Sequence, residues 1–141
     1  MENRFGPYLV SDDPSLVDFD TVHQWLTGSY WSPGISREKV EKAALHTALV
    51  VGVYSGREQA AYMRVIGDST TFAWIADVFV GEEHRRKGIG KEMVRFALEH
   101  PEWQGLRRWV LATRDAHEIY RECGFTSLPE PERFMIYRPE V

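Results

Sequence analysis

The sequence predicts a mixed α+β domain built on a central, mostly antiparallel sheet. Two observations carry this prediction. Three apolar, β-branched-rich runs at 48–54, 59–66 and 72–80 follow one another across short turns, the pattern of an antiparallel meander. From residue 89 the apolar period changes to the helical one, with Ile89, Met93, Phe96 and Ala97 at helical spacing. Helices before the meander and strands after it give the order β-α-α-β-β-β-α-β-α-β. The 141 residues suit one domain spanning 1–141, with no repeat, low-complexity stretch or linker.

Each element has a local cause. Pro7-Tyr-Leu-Val-Ser11 reads as a short edge strand. Asp18 or Asp20 can cap a helix that turns Val22, Trp25 and Leu26 inward. Gly28-Ser-Tyr-Trp-Ser-Pro-Gly34 ends it, because the segment is rich in turn formers. Ser36 is an N-cap, and Ile35 and Val40 occupy the positions of a hydrophobic staple around it. Ser55-Gly-Arg57 and Gly67-Asp68 make the two turns of the meander. The run Phe72–Val80 is almost wholly apolar, so both of its faces are expected to be covered. Pro101 stops the helix that starts near 89. Trp109–Ala112 is a strand, and Asp115–Cys123 a short helix with Ala116, Ile119, Tyr120 and Cys123 inward and Gly124 at its C′ position. Phe134–Tyr137 reads as a last strand.

Composition narrows the function. Seventeen Lys and Arg stand against twenty-one Asp and Glu, a net charge of -4, which argues against a general nucleic-acid binder. The single cysteine, Cys123, has no intramolecular disulfide partner, and the five histidines have no zinc-site spacing. No apolar run approaches the length of a membrane span, and no signal peptide is evident. A protein of a reducing, cytoplasmic compartment, without metal or membrane partner, is the expectation.

One stretch departs from the acidic average. In Asp77-Val-Phe-Val-Gly-Glu-Glu-His-Arg-Arg-Lys-Gly-Ile-Gly-Lys91 an apolar strand ends, a charged loop follows, and two glycines open an amphipathic helix. Between 82 and 95, five Lys and Arg face three Glu. Amides at a helix start are unpaired and lie at the positive end of the dipole, and glycine admits a ligand close to the backbone. With Arg85, Arg86, Lys87 and Lys91 they suit a phosphate or pyrophosphate. The segment fits neither a P-loop nor a dinucleotide fingerprint, since position 93 is Met rather than a third glycine.

Arg85-x-x-Gly88-x-Gly90 resembles the pyrophosphate signature of the GCN5-related N-acetyltransferases (GNAT). Downstream, Ala116-x-x-x-Tyr120-x-x-x-Gly124-Phe125 is similar to a second motif of that family. The resemblance implies acetyl-CoA as cofactor, with its pyrophosphate on the amides from Arg86 through Lys87, Gly88, Ile89 and Gly90 to Lys91. It implies a sheet splayed at that point, with pantetheine paired to the backbone of Val78, Phe79 and Val80 as an added strand. Family members often carry Asn where this chain has Thr113, so the implied cofactor contact there either falls to the Thr113 hydroxyl or is lost. The acceptor pocket of the family commonly lies on the loop holding Tyr30 and Trp31, and its members often form homodimers.

Amine attack on a thioester needs a neutral amine and a protonated leaving thiolate. At pH 7, deprotonating a lysine-like amine costs about 4.6 kcal/mol, but an α-amine only about 1 kcal/mol. Tyr120 is the general-acid candidate, because a phenol stays protonated at neutral pH and can donate to a thiolate. Asp77 is the candidate base, the one carboxylate in an apolar strand, where its pKa should be raised unless it is paired. A carboxylate facing solvent or held in a salt bridge is the other reading of Asp77, and Glu118, His117 and a water relay are its rivals as base. The resemblance, with these residues in its acid and base positions, implies an N-acetyltransferase acting on a small-molecule or peptide primary amine. The other reading is a non-catalytic CoA-binding module.

Overall fold

A computed structural model of the chain describes residues 1–139. The runs with period two become strands and the run with period 3.6 becomes the longest helix. Among the described residues six strands form one sheet: β1 (Glu2–Phe5), β2 (Tyr8–Ser11), β3 (Leu49–Ser55), β4 (Glu58–Gly67), β5 (Phe72–Val80) and β6 (Arg108–Val110). Their spatial order is their sequence order. The first five pair antiparallel, and β6 joins parallel to β5. That parallel step needs a crossover, which α3 (Ile89–Glu99) supplies.

Helices cover both faces of the sheet. On one side α1 (Phe19–Thr27) and α2 (Arg37–Leu45) bury Val22, Leu26, Val40 and Ala44 against Val50 and Tyr62. On the other, α3 packs Ile89, Met93, Val94 and Phe96 onto Val51, Val53, Met63 and Ile75, and α4 (His117–Glu122) adds Tyr120. Val50 and Val51 therefore face opposite layers, as strand alternation requires. The caps are those expected. Asp18 accepts from the Asp20 and Thr21 amides and Ser36 from that of Lys39. Ile35 and Val40 join the same apolar cluster. No helix among the described residues is long and apolar enough to cross a membrane.

Three expectations are corrected. The strand at 8–11 is not the edge, because residues 2–5 hairpin onto it through Gly6 at φ 57°. Glu2-Asn-Arg-Phe5 holds a single apolar residue, so no alternation marks it. Phe134–Tyr137 forms no strand; it follows a single turn at Pro131–Arg133, and Met135 is 97% and Tyr137 86% exposed. Strand propensity expresses fit to a half-buried pleated surface, and this segment lies against none. Finally, β5 is not covered on both faces along its whole length. Phe72 and Trp74 lie on the α1–α2 side but remain exposed.

Within β3, Gly52 has a packing reason. A Cβ there would collide with the Tyr54 ring and hydroxyl. That hydroxyl is buried without a hydrogen-bond partner, and burial pushes its pKa upward.

Candidate active site

The site starts from two irregularities of β5. On the β4 side the register runs Tyr62 to Phe79 and Arg64 to Ala76, so Met63 alone opposes Asp77 and Val78. This is a β-bulge, which bends a strand and re-aims a side chain. Asp77 takes φ 56°, a left-handed conformation that is costly for a residue with a Cβ. On the other side, the ladder with β6 stops at Trp74 and Val110. Residues 75–80 consequently have no strand neighbour there, and a cleft opens between β5 and the segment Leu111, Ala112 and Thr113 that follows β6. This is the splay expected at the strand before the glycine loop.

Contacts of its side chain hold the bulge. Arg64 Nε donates to Asp77 Oδ2 at 2.6 Å, and Trp31 Nε1 donates to Oδ1 at 2.8 Å. Arg64 also donates to Thr47 Oγ1 at 3.0 Å. The side chains of Arg64 and Asp77 are only 17% and 10% exposed. Both oxygens of the expected base are thus engaged, one by a cation and one by an indole. The carboxylate ties the loop after α1 to the sheet.

Two cavities meet at the cleft. The first, about 430 Å³, lies between the end of β5, the glycine loop and α4. Gly88 caps α3 at φ 80° and offers no side-chain oxygen to the first-turn amides, which have no partner within the helix. A Cβ at Gly90 would meet only Val80 Cγ2, at 3.8 Å. The chain's own packing therefore does not demand glycine at 90, which suits a position kept open for a ligand. Arg85, Arg86 and Lys91 ring this cavity, and Val78, Val80 and Ile119 give it an apolar wall. These residues fit an anionic group followed by a thin apolar arm. Ile119, expected inward, is 41% exposed and faces the cavity instead.

Several expected binders take other partners. Arg85 Nε donates to Val80 O at 3.0 Å, and its guanidinium lies 5.4 Å from the Phe79 ring centroid. Phe79 itself stacks on Trp25 at 5.1 Å, leaving its backbone as the part open to a strand-like ligand. Lys87 Nζ donates to Tyr8 Oη at 3.4 Å. Lys91 forms an ion pair with Glu122 at 3.3 Å. The Thr113 hydroxyl accepts from the Ala116 amide at 3.0 Å. Thr113 lines the second cavity rather than the first.

This second cavity, about 230 Å³, is walled by Tyr30, Trp31, Trp74, Asp77, Thr113 and Tyr120. Tyr30 Oη accepts from the Arg114 amide at 3.0 Å, and the Arg114 guanidinium sits 3.9 Å from its ring centroid. Val78, Ala116 and Tyr120 border both cavities. Burial, with smaller contributions from Tyr30, Cys123 and Asp115, pushes the Tyr120 pKa up to about 12. A larger cavity of about 650 Å³ lies by β6 among Leu98, Trp109, Phe125 and Phe134 and shares none of its lining with the two cavities of the cleft.

Arg64, Trp74 and Arg114 belong to the site without having been anticipated. Arg64 had a signal: a lone cation in one apolar strand and a lone carboxylate in the next suggest a pair, since buried charges need partners. Trp74 was hidden by the expectation that β5 is covered on both faces. Arg114 had none.

Comparison with known proteins places this geometry. The acetyltransferase (GNAT) family model matches residues 14–125. A solved Xanthomonas campestris protein, described as belonging to the same family, is 39% identical, with a TM-score of 0.89 over 94% of this chain and 93% of that one. A Gibberella zeae protein, provisionally named acetyltransferase FG08082, is 28% identical over 136 residues, covering 82% of this chain and 76% of its own length. A Prochlorococcus marinus protein, named as an uncharacterized N-acetyltransferase, is 29% identical over 122 residues, covering 83% and 67% respectively.

Proposed function

The chain belongs to the acetyltransferase (GNAT) family, and from that premise we propose that it moves the acetyl group of acetyl-CoA directly to the primary amine of a small acceptor. One observation carries the reading: Tyr120, Val78 and Ala116 stand where a basic, glycine-lined cavity meets an aromatic one. Both cavities are thus bordered by the same tyrosine.

When bound, acetyl-CoA supplies an acetyl group activated as a thioester. The amides from Arg86 to Lys91 and the charges of Arg86 and Lys91 are the groups to hold its pyrophosphate. Val78, Val80 and Ile119 flank its thin arm, and the unpaired edge of β5 offers backbone for strand-like bonding. Tyr120 holds its proton firmly, with a pKa pushed up to about 12, so its hydroxyl is a donor throughout the neutral range. It can donate a hydrogen bond to the charge developing on a leaving sulfur. The thiol form of that sulfur has an ordinary pKa of about 8.5, so complete transfer from the phenol runs uphill and Tyr120 must regain its proton from the one the amine releases. Asp77, already bonded by Arg64 and Trp31, orients the acceptor wall. In this reading the amine proton leaves through water.

The test is release of free CoA across a panel of primary amines, with acetyl-CoA binding followed separately by calorimetry. Turnover with at least one amine is expected, and Tyr120→Phe should lower kcat about 10²-fold with little change in acetyl-CoA affinity. Full turnover by that variant at every pH would remove Tyr120 as the acid. Acetyl-CoA binding without release for any amine would favour a binding module over an enzyme.

A further inference from the structure

Resting on that reading, we infer that the acceptor is a primary monoamine with one flat, apolar body, and not a polyamine. The inference comes from the walls and the charges of the second cavity.

The walls are aromatic on several sides. Tyr30 and Trp31 meet edge to face at 5.0 Å. Trp31 is fixed through its indole N–H on Asp77. Trp74 projects from β5 on the α1–α2 face and is 36% exposed. Tyr120 closes the side toward the glycine loop. Fixed rings favour flat apolar groups by offset or edge-to-face packing. At about 230 Å³, the space equals about eight water molecules, which suits a single ring with a short tail.

The charges cancel in pairs. Among the described residues Asp77 and Asp115 are the two carboxylates lining the cavity. Asp77 is bonded by Arg64 at 2.6 Å. Asp115 stands 3.6 Å from Arg114, whose guanidinium covers the Tyr30 ring. On the neighbouring turn of α4, Glu118 is bonded by Arg121 at 3.1 Å. No surplus negative charge therefore awaits a second or third ammonium group. A polycation would have to leave its extra charges unpaired beside Arg64 and Arg114. A monoamine brings a single charge, which the aromatic faces accept and which is lost as the amine becomes nucleophilic.

The test compares 2-phenylethylamine with spermidine on the CoA-saturated chain, by calorimetry for binding and by CoA release from acetyl-CoA for turnover. The expected result is a Kd at least tenfold lower for 2-phenylethylamine. Trp74→Ala should raise that Kd about tenfold and Trp74→Phe should recover most of the loss, with acetyl-CoA affinity and melting temperature unmoved. Equal or tighter binding of spermidine, binding of neither amine, or an unchanged Kd in Trp74→Ala would overturn the inference. Tight 2-phenylethylamine binding with no CoA released would uphold the cavity and defeat acetyl transfer. Faster turnover of spermidine would uphold transfer and defeat the cavity assignment.

Discussion

Arg64 and Asp77 show how one pair of side chains can serve both structure and site. The ion pair is mostly withdrawn from water, and removing one partner of such a pair costs more than the pair contributes. Arg64→Ala strands the Asp77 carboxylate at a backbone position that is already strained. A loss of about 2–4 kcal/mol in urea denaturation is expected. KM for the acceptor should rise as well, because Trp31 loses its fixed carboxylate. An unchanged KM alongside lost stability would make the pair purely structural. The sequence exposed half of this arrangement. Asp77 stood out as a lone carboxylate, and its need for a partner followed, but which cation met it depended on strand register. A one-residue slip would have turned Arg64 to the other face, and no local signal marks the bulge that sets that register.

The elements were far more legible than their junctions. Ser36 and Asp18 announced helix starts through capping chemistry that acts within four residues. The glycine loop was equally readable, because its amides need nothing distant to be available. The exposure of Trp74 was not readable, since it depends on how far α1 and α2 reach across the sheet. Nor was the fate of Phe134–Tyr137, whose composition suits a strand that has no edge beside it. Gly52 offers a test at this scale. Gly52→Ala puts a methyl group into the space of the buried Tyr54 ring, and overpacking of this kind costs about 1–3 kcal/mol. Tyr54→Phe removes a hydroxyl that has no partner, so stability should hold or rise. Paired denaturation curves should show a lower midpoint for Gly52→Ala and an unchanged or higher one for Tyr54→Phe.

Across the whole molecule, burial of phenols sets a limit on the alkaline side. Desolvation pushes Tyr62 up to about 12, and Tyr120 likewise to about 12, against an ordinary value near 10. A pKa raised on folding means that the folded chain holds the proton more tightly. The associated stability is complete below pH 10 and is lost as pH climbs from 10 toward 12. Thermal melts should therefore fall steeply over that interval. Tyr62→Phe should soften the fall, and a melt indifferent to pH up to 12 would contradict the buried state of these rings. The fold itself was legible from the order of its periodic runs, because a meander followed by a crossover leaves few topologies.

The strictly sequential order of the sheet also has a kinetic consequence. Strands β3, β4 and β5 close through turns of a few residues and can meet early. β6 docks only after the whole α3 crossover has been laid down, and it does so through three residue pairs. Non-local, parallel closure costs more chain entropy than local pairing, so it follows the meander and falls after the main folding barrier. The wall of the cleft that carries Val110 should then be unformed in the folding transition state, while the meander is largely built. Val110→Ala should speed unfolding and leave the refolding rate nearly constant, whereas Val51→Ala should slow refolding. Chevron plots of the two variants would separate them, and a slowed refolding arm for Val110→Ala would reverse the order.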